Sequence, residues 1–213
     1  MDGGKTLGAL SGTLTTTAYY IEGELPDGFR DSYLEALAKF RFKEIDLALD
    51  QDESMGWVTV GDPFDTAFEL NKVLWGSYLM VAIRHDAIRL PANAFKLHLA
   101  KAVQEYLQEQ GKERISKPEQ EEIKETLQKQ LRKRVLPAIK TFDLVWNIDR
   151  HQAWLFTQNK KVNELFVDMF EETFGLQAHE RNPYSLVEHM GLDDALFDRM
   201  LSVEPASMAA PPR

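Results

Sequence analysis

The run YLMVAIRHDAIRL, Tyr78 to Leu90, decides how the rest of the chain is read. It gives the strongest strand signal in the sequence, and Pro91 ends it because proline cannot donate to a ladder. Beyond it Phe95, Leu99, Val103 and Leu107 step by four residues, which predicts a helix to about Gln110. Gly111 can take the left-handed conformation that closes a helix. Ser116-Lys117-Pro118-Glu119 then has the form of a capping box, and Ile123, Leu127, Leu131 and Val135 carry a second helix to about Pro137. Two helices joined by a short polar loop predict an antiparallel hairpin over 91–137.

Upstream, TLTTTAYYIE (Thr13–Glu22) reads as a strand, followed by a turn at Pro26-Asp27-Gly28. Phe29, Tyr33, Leu34, Leu37 and Phe40 predict an amphipathic helix over about 27–40. Phe42–Ile45 is expected to form a short strand, Asp50–Ser54 an acidic loop and Gly56–Val60 a further strand. Downstream, Phe142–Ile148 and Gln152–Thr157 read as strands around a turn. Val162, Leu165, Phe166, Met169, Phe170 and Phe174 predict a helix closed by Gly175. Residues 1–12 read as a flexible arm, and 13–177 as the folded domain. The segment 178–213 is expected to hold short helices near 185–190 and 193–201, with a disordered tail over 203–213. Strands and helices do not alternate strictly, so the expected class is α+β with mixed or antiparallel sheets. The expected core comprises Trp57, Leu79, Val81, Phe95, Leu99, Val145, Trp146, Phe166 and Phe170.

The 213 residues carry no cysteine, which excludes disulfides, a thiol nucleophile and thiolate metal sites. No apolar run approaches the roughly 20 residues of a membrane span. Met1-Asp2-Gly3-Gly4-Lys5 does not read as a secretion signal, so a soluble cytoplasmic protein is expected. Phosphate-loop, dinucleotide and nucleophile-elbow motifs are absent, and His85, His98, His151, His179 and His189 form no metal-ligand spacing. His85 and Asp86 fall on opposite faces of their strand and cannot share a ligand. Asp143 and Asp149 flank a strand, but isolated carboxylates there more often belong to turns. No cofactor, metal, nucleotide or catalytic residue is expected.

Charge gives the strongest functional signal. The net charge of −9 opposes generic nucleic-acid binding, yet residues 91–140 hold 11 Lys and Arg against 7 Glu. Lys129, Arg132, Lys133, Arg134 and Lys140 gather at the end of the second hairpin helix. On a helical wheel Lys129, Arg132 and Lys133 lie opposite Ile123 and Leu127. One reading is a cationic face for phosphates. The other is dipole complementarity, with Glu119, Glu121, Glu122 and Glu125 early in the helix and the cations late.

Several of these features occur together in the RdgC family of recombination-associated DNA-binding proteins, which the sequence resembles over about residues 55–177. The matching features are Met55-Gly56-Trp57-Val58, LMVAIRHDAIRLP, the hairpin ending in Leu136-Pro137, Val145-Trp146-Asn147-Ile148-Asp149, and Thr173-Phe174-Gly175-Leu176. The resemblance implies a non-enzymatic protein that binds double-stranded DNA with little sequence preference. It implies a nucleoid-associated homodimer, ring-shaped in the long members, that restrains RecA loading. The chain is shorter than those members, and Ala138 stands where the family tends to place Arg after Leu-Pro. The DNA-binding candidates are Lys112, Arg114, Lys129, Arg132, Lys133, Arg134, Lys140, Lys160 and Lys161. The alternative is a protein-interaction or assembly module of the same fold that does not bind DNA.

Overall fold

The structure, a computed structural model, describes residues 8–9, 15–183, 185–186 and 194–202. Its chain order is β1 (Thr17–Glu22), α1 (Phe29–Lys39), β2 (Glu53–Val58), α2 (Leu70–Val73), β3 (Leu74–Trp75), β4 (Tyr78–Ala87), α3 (Ala92–Gln110), α4 (Lys117–Arg132), β5 (Ala138–Asn147), β6 (Gln152–Leu155), α5 (Lys160–Phe174), β7 (Gln177–Glu180) and α6 (Asp194–Leu201). The α+β class is as expected. Most of the early arm, the 185–190 helix beyond residue 186, and the 203–213 tail lie outside the described residues.

The seven strands form one sheet in the order β2-β4-β5-β6-β1-β7, with β3 also on β4. Every ladder is antiparallel. The Tyr78–Leu90 run supplies β4, which lies second from one edge of the sheet. β4 pairs with β5 along its whole length, from Tyr78↔Asn147 to Ala87↔Ala138. β2 and β3 share its other edge in succession. The helical hairpin is thus an excursion between two paired strands. It leaves after Ala87 and returns at Ala138, so it projects from one end of the sheet.

Alternation decides which side chains are buried. Leu79, Val81 and Ile83 of β4, Leu144 and Trp146 of β5, Ala153 and Leu155 of β6, and Tyr19 and Ile21 of β1 share one face. Over it lie Tyr33 and Leu37 of α1 and Phe166, Phe170 and Phe174 of α5. Trp57 joins them and donates its Nε1–H to Thr173 Oγ1 at 2.8 Å. Six of the nine expected core residues are in this cluster. Val145 is not, because it points to the opposite face from Leu144 and Trp146 and is only half-buried. Phe95 and Leu99 are also only half-buried, because α3 packs on α4 instead of folding back onto the sheet.

Phe42–Ile45 is not a strand. The pairing there is a single parallel bridge, Arg41↔Trp57, with Phe42 N–H donating to Trp57 O at 2.9 Å. Phe42 instead covers the second sheet face beside Val58 and Ala82. This crossing explains Gly56: a Cβ there would lie 2.5 Å from Phe42 Cα and N. The short strands β3 and β7 carry too little periodic pattern to be read from sequence. The second hairpin helix ends at Arg132, earlier than Pro137, because residues 133–135 turn the chain toward β5.

Candidate nucleic-acid interface

The arm is built by local rules. α3, at 1.5 Å per residue, is about 28 Å long. Gly111 closes it at φ 61° and ψ 28°. Ser116 then opens α4 with the expected capping box. The box extends into a tip lock. Glu119 accepts from Ser116 N–H at 2.9 Å, Ser116 Oγ at 2.6 Å, Tyr106 Oη at 2.9 Å and Lys112 Nζ at 2.5 Å. The Lys112 bond, followed by the Ser116 bonds, holds the Glu119 carboxyl far below the usual range. The same partnership raises Lys112. Lys112 is therefore engaged inside the arm, while Arg114 beside it is exposed.

At the base of the arm Lys129, Lys133, Arg134 and Lys140 are exposed, as a phosphate-binding face requires. Arg132 is not. Only 8% of it is accessible, although the helical wheel puts it on the polar side. Its Nη1 donates to Asp50 Oδ1 at 2.9 Å, its Nη2 to Gln51 O at 2.8 Å, and its Nε lies 2.7 Å from Asp52 Oδ1. The acidic loop predicted at 50–54 and the predicted cationic face are thus in direct contact. Asp50 also lines a recess of about 220 Å³ with Lys129, Arg132 and Lys133.

The acidic run continues around the end of the sheet. Glu53 Oε2 takes Lys161 Nζ at 3.0 Å and His85 Nε2 at 3.3 Å, and the Lys161 bond leads in lowering the Glu53 carboxyl. Lys140 is the register partner of His85, so it falls on the same face. Lys160 is 91% exposed and lies 3.8 Å from Glu164. The structure therefore brings Lys129, Arg132, Lys133, Lys140 and Lys161 to one end of the sheet around Asp50–Glu53. Lys112 and Arg114 stand at the far tip.

Sequence reasoning passed over one polar arrangement. Arg84 and Asp86, two residues apart and so on one face of β4, form a buried ion pair with Nε–Oδ1 2.8 Å and Nη2–Oδ2 2.6 Å. The Arg84 guanidinium lies 4.0 Å from the centre of the Phe42 ring and 4.7 Å from that of Phe64. His85 points the other way, to Glu53, as alternation requires. The signal was available as the i,i+2 spacing of opposite charges inside an apolar strand. Asp143 and Asp149 go to separate partners, the Ala9 N–H at 2.7 Å and the Ser77 hydroxyl. Burial raises the Asp143 carboxyl. Among the described residues no three His, Asp or Glu side chains converge to hold a metal ion, and no described helix is long and apolar enough to cross a membrane.

No curated protein matches the sequence. A protein family does: the one described as "Putative exonuclease, RdgC" matches residues 17–183, from the start of β1 to just past β7. The match spans every paired strand, both hairpin helices and α5, and includes each motif from Met55-Gly56-Trp57-Val58 to Thr173-Phe174-Gly175-Leu176. This chain therefore belongs to the RdgC family.

Proposed function

We propose that this protein binds double-stranded DNA without sequence preference and without cutting it, acting in the nucleoid as a homodimer that limits access of the RecA recombinase to DNA. The observation that carries this reading is the projecting hairpin, with Lys129, Lys133 and Arg134 exposed at its base beside Lys140. Flexible cations around a protruding arm suit phosphates, whose positions are the same for any sequence. Family membership supports a DNA-associated role. Leu97 and Leu136, 74% and 89% exposed, support a second copy against the arm.

A gel shift on linear and circular duplex tests the binding. With four exposed cations neutralising phosphates, log affinity should fall against log salt with a slope of about −3 to −4. Incubating end-labelled duplex with the protein and Mg²⁺ should leave its length unchanged. Progressive shortening would replace the binding reading with the exonuclease chemistry in the family's description.

The second reading, a protein-interaction module, is favoured by the net charge of −9 and by the same exposed leucines. It becomes the better account if no duplex is shifted at low salt.

A further inference from the structure

We propose that Asp50 and Asp52 form an internal strap occupying a phosphate-binding recess, and that duplex DNA must displace it to reach Arg132. This rests on the duplex-binding reading above and deepens it by naming what competes with DNA.

One of the nine candidate cations, Arg132, is held by this run of chain, through Asp50, Gln51 and Asp52. Guanidinium recognises carboxylate and phosphate by the same planar, paired geometry, so a phosphate oxygen can take the place of either aspartate. A buried Arg132 without an anion would be strongly unfavourable, so the site needs one occupant or another. The present occupants are open to exchange: the Asp50 and Asp52 side chains are 68% and 52% exposed while Arg132's is 9%. Lys129 and Lys133 line the same recess as Asp50, so an entering phosphate would meet three cations. The strap runs directly into β2 at Glu53, the ladder partner of Ala87, and three backbone-amide bonds flank it before that point. Ala48 N–H donates to Asp46 Oδ1 at 2.8 Å, Leu49 N–H to Asp46 O at 3.2 Å, and Ile88 N–H to Asp52 O at 2.8 Å.

Charge removal alone tightens DNA binding, so the test compares two variants that each remove two negative charges. Asp50→Asn/Asp52→Asn opens the strap. Glu122→Gln/Glu125→Gln removes exposed charges from α4 that do not touch Arg132. The strap variant should bind a duplex of about 30 base pairs on the order of tenfold tighter than wild type, the gain expected when a closed state is no longer favoured. The α4 variant should gain no more than about threefold by general electrostatics. In the wild-type protein, adding the duplex should speed amide exchange at Ala48, Leu49 and Ile88. That measurement needs no variant to fold.

If wild type binds but the strap variant gains no more than the α4 variant, or if those amides slow on binding, the strap is overturned and duplex binding stands. If neither wild type nor strap variant binds at low salt, the duplex-binding reading falls and takes the strap with it.

Discussion

The sheet with α5 and the hairpin arm show the same amphipathic periodicity but are held in different ways. Under α5, Tyr33, Trp57, Trp146, Phe170 and Phe174 pack with neighbouring ring centroids 4.8 to 5.9 Å apart. In the arm, α3 has no buried residue and α4 has only Arg132. The body is therefore stabilised by apolar area removed from water. The arm relies on caps, the tip lock and one ionic clamp at its root. Periodicity reports that a helix has an apolar side. Whether that side meets a sheet or one other helix depends on what the chain brings to it.

The sharpest way to expose this contrast is to remove a ring from the body. Phe170→Ala should cost about 3–5 kcal/mol, because this α5 side chain faces the sheet with no accessible surface and the site cannot collapse freely. Urea unfolding measures it, and a loss below about 1 kcal/mol would mean the cluster is not the core. Gly56→Ala attacks the same body through its backbone. The added methyl meets Phe42 backbone atoms at 2.5 Å, so the crossing segment must shift, at about 3 kcal/mol. Near-neutral behaviour of that variant would refute the close approach.

The body was largely legible in sequence. β4, the capping box, the Gly111 and Gly175 helix ends and the buried Trp57 and Trp146 all follow from local pattern. Val145 was misjudged because an apolar residue between Leu144 and Trp146 leaves no alternation to read. Phe42 was misjudged because it covers a sheet face from outside. At the candidate site Lys129 and Lys133 are exposed, whereas Arg132 on the same side of the wheel is buried by another segment. The wheel considers one helix, whereas the partners of Arg132 lie at Asp50 and Asp52, far away in sequence. The acidic run 50–54 is plain in the sequence, but pattern alone does not say that it closes on the end of α4.

Cutting the clamp probes the joint between the two regions. Arg132→Ala should cost about 2 kcal/mol, below the usual 3–5 for breaking a buried pair because its aspartate partners are largely in water. The loss should be concentrated at the joint. Amide exchange should rise at Ile88 and in the last turn of α4 while Leu144 and Phe166 stay protected. Uniform loss of protection would show that the arm and body unfold as one unit.

The tip should give the smallest effects, and their pattern is the most specific to the arm. Ser116→Ala removes the N-cap acceptor and should lower α4 protection by about 1 kcal/mol without moving the main unfolding transition. Acid should weaken the same lock. The Glu119 carboxyl is depressed in the folded arm, so its contribution is complete above the ordinary glutamate range of about 4.3 and is lost as pH falls through the lower folded value. Lys112 is raised, so its contribution is complete below the ordinary lysine range of about 10.4 and is lost as pH rises through the higher folded value. Protection of the first turn of α4 should therefore be flat through neutrality and decline at both extremes. Glu119→Gln should remove the acid limb of that decline. If the limb persists in that variant, the acid sensitivity belongs to other carboxylates and the lock does not hold the tip.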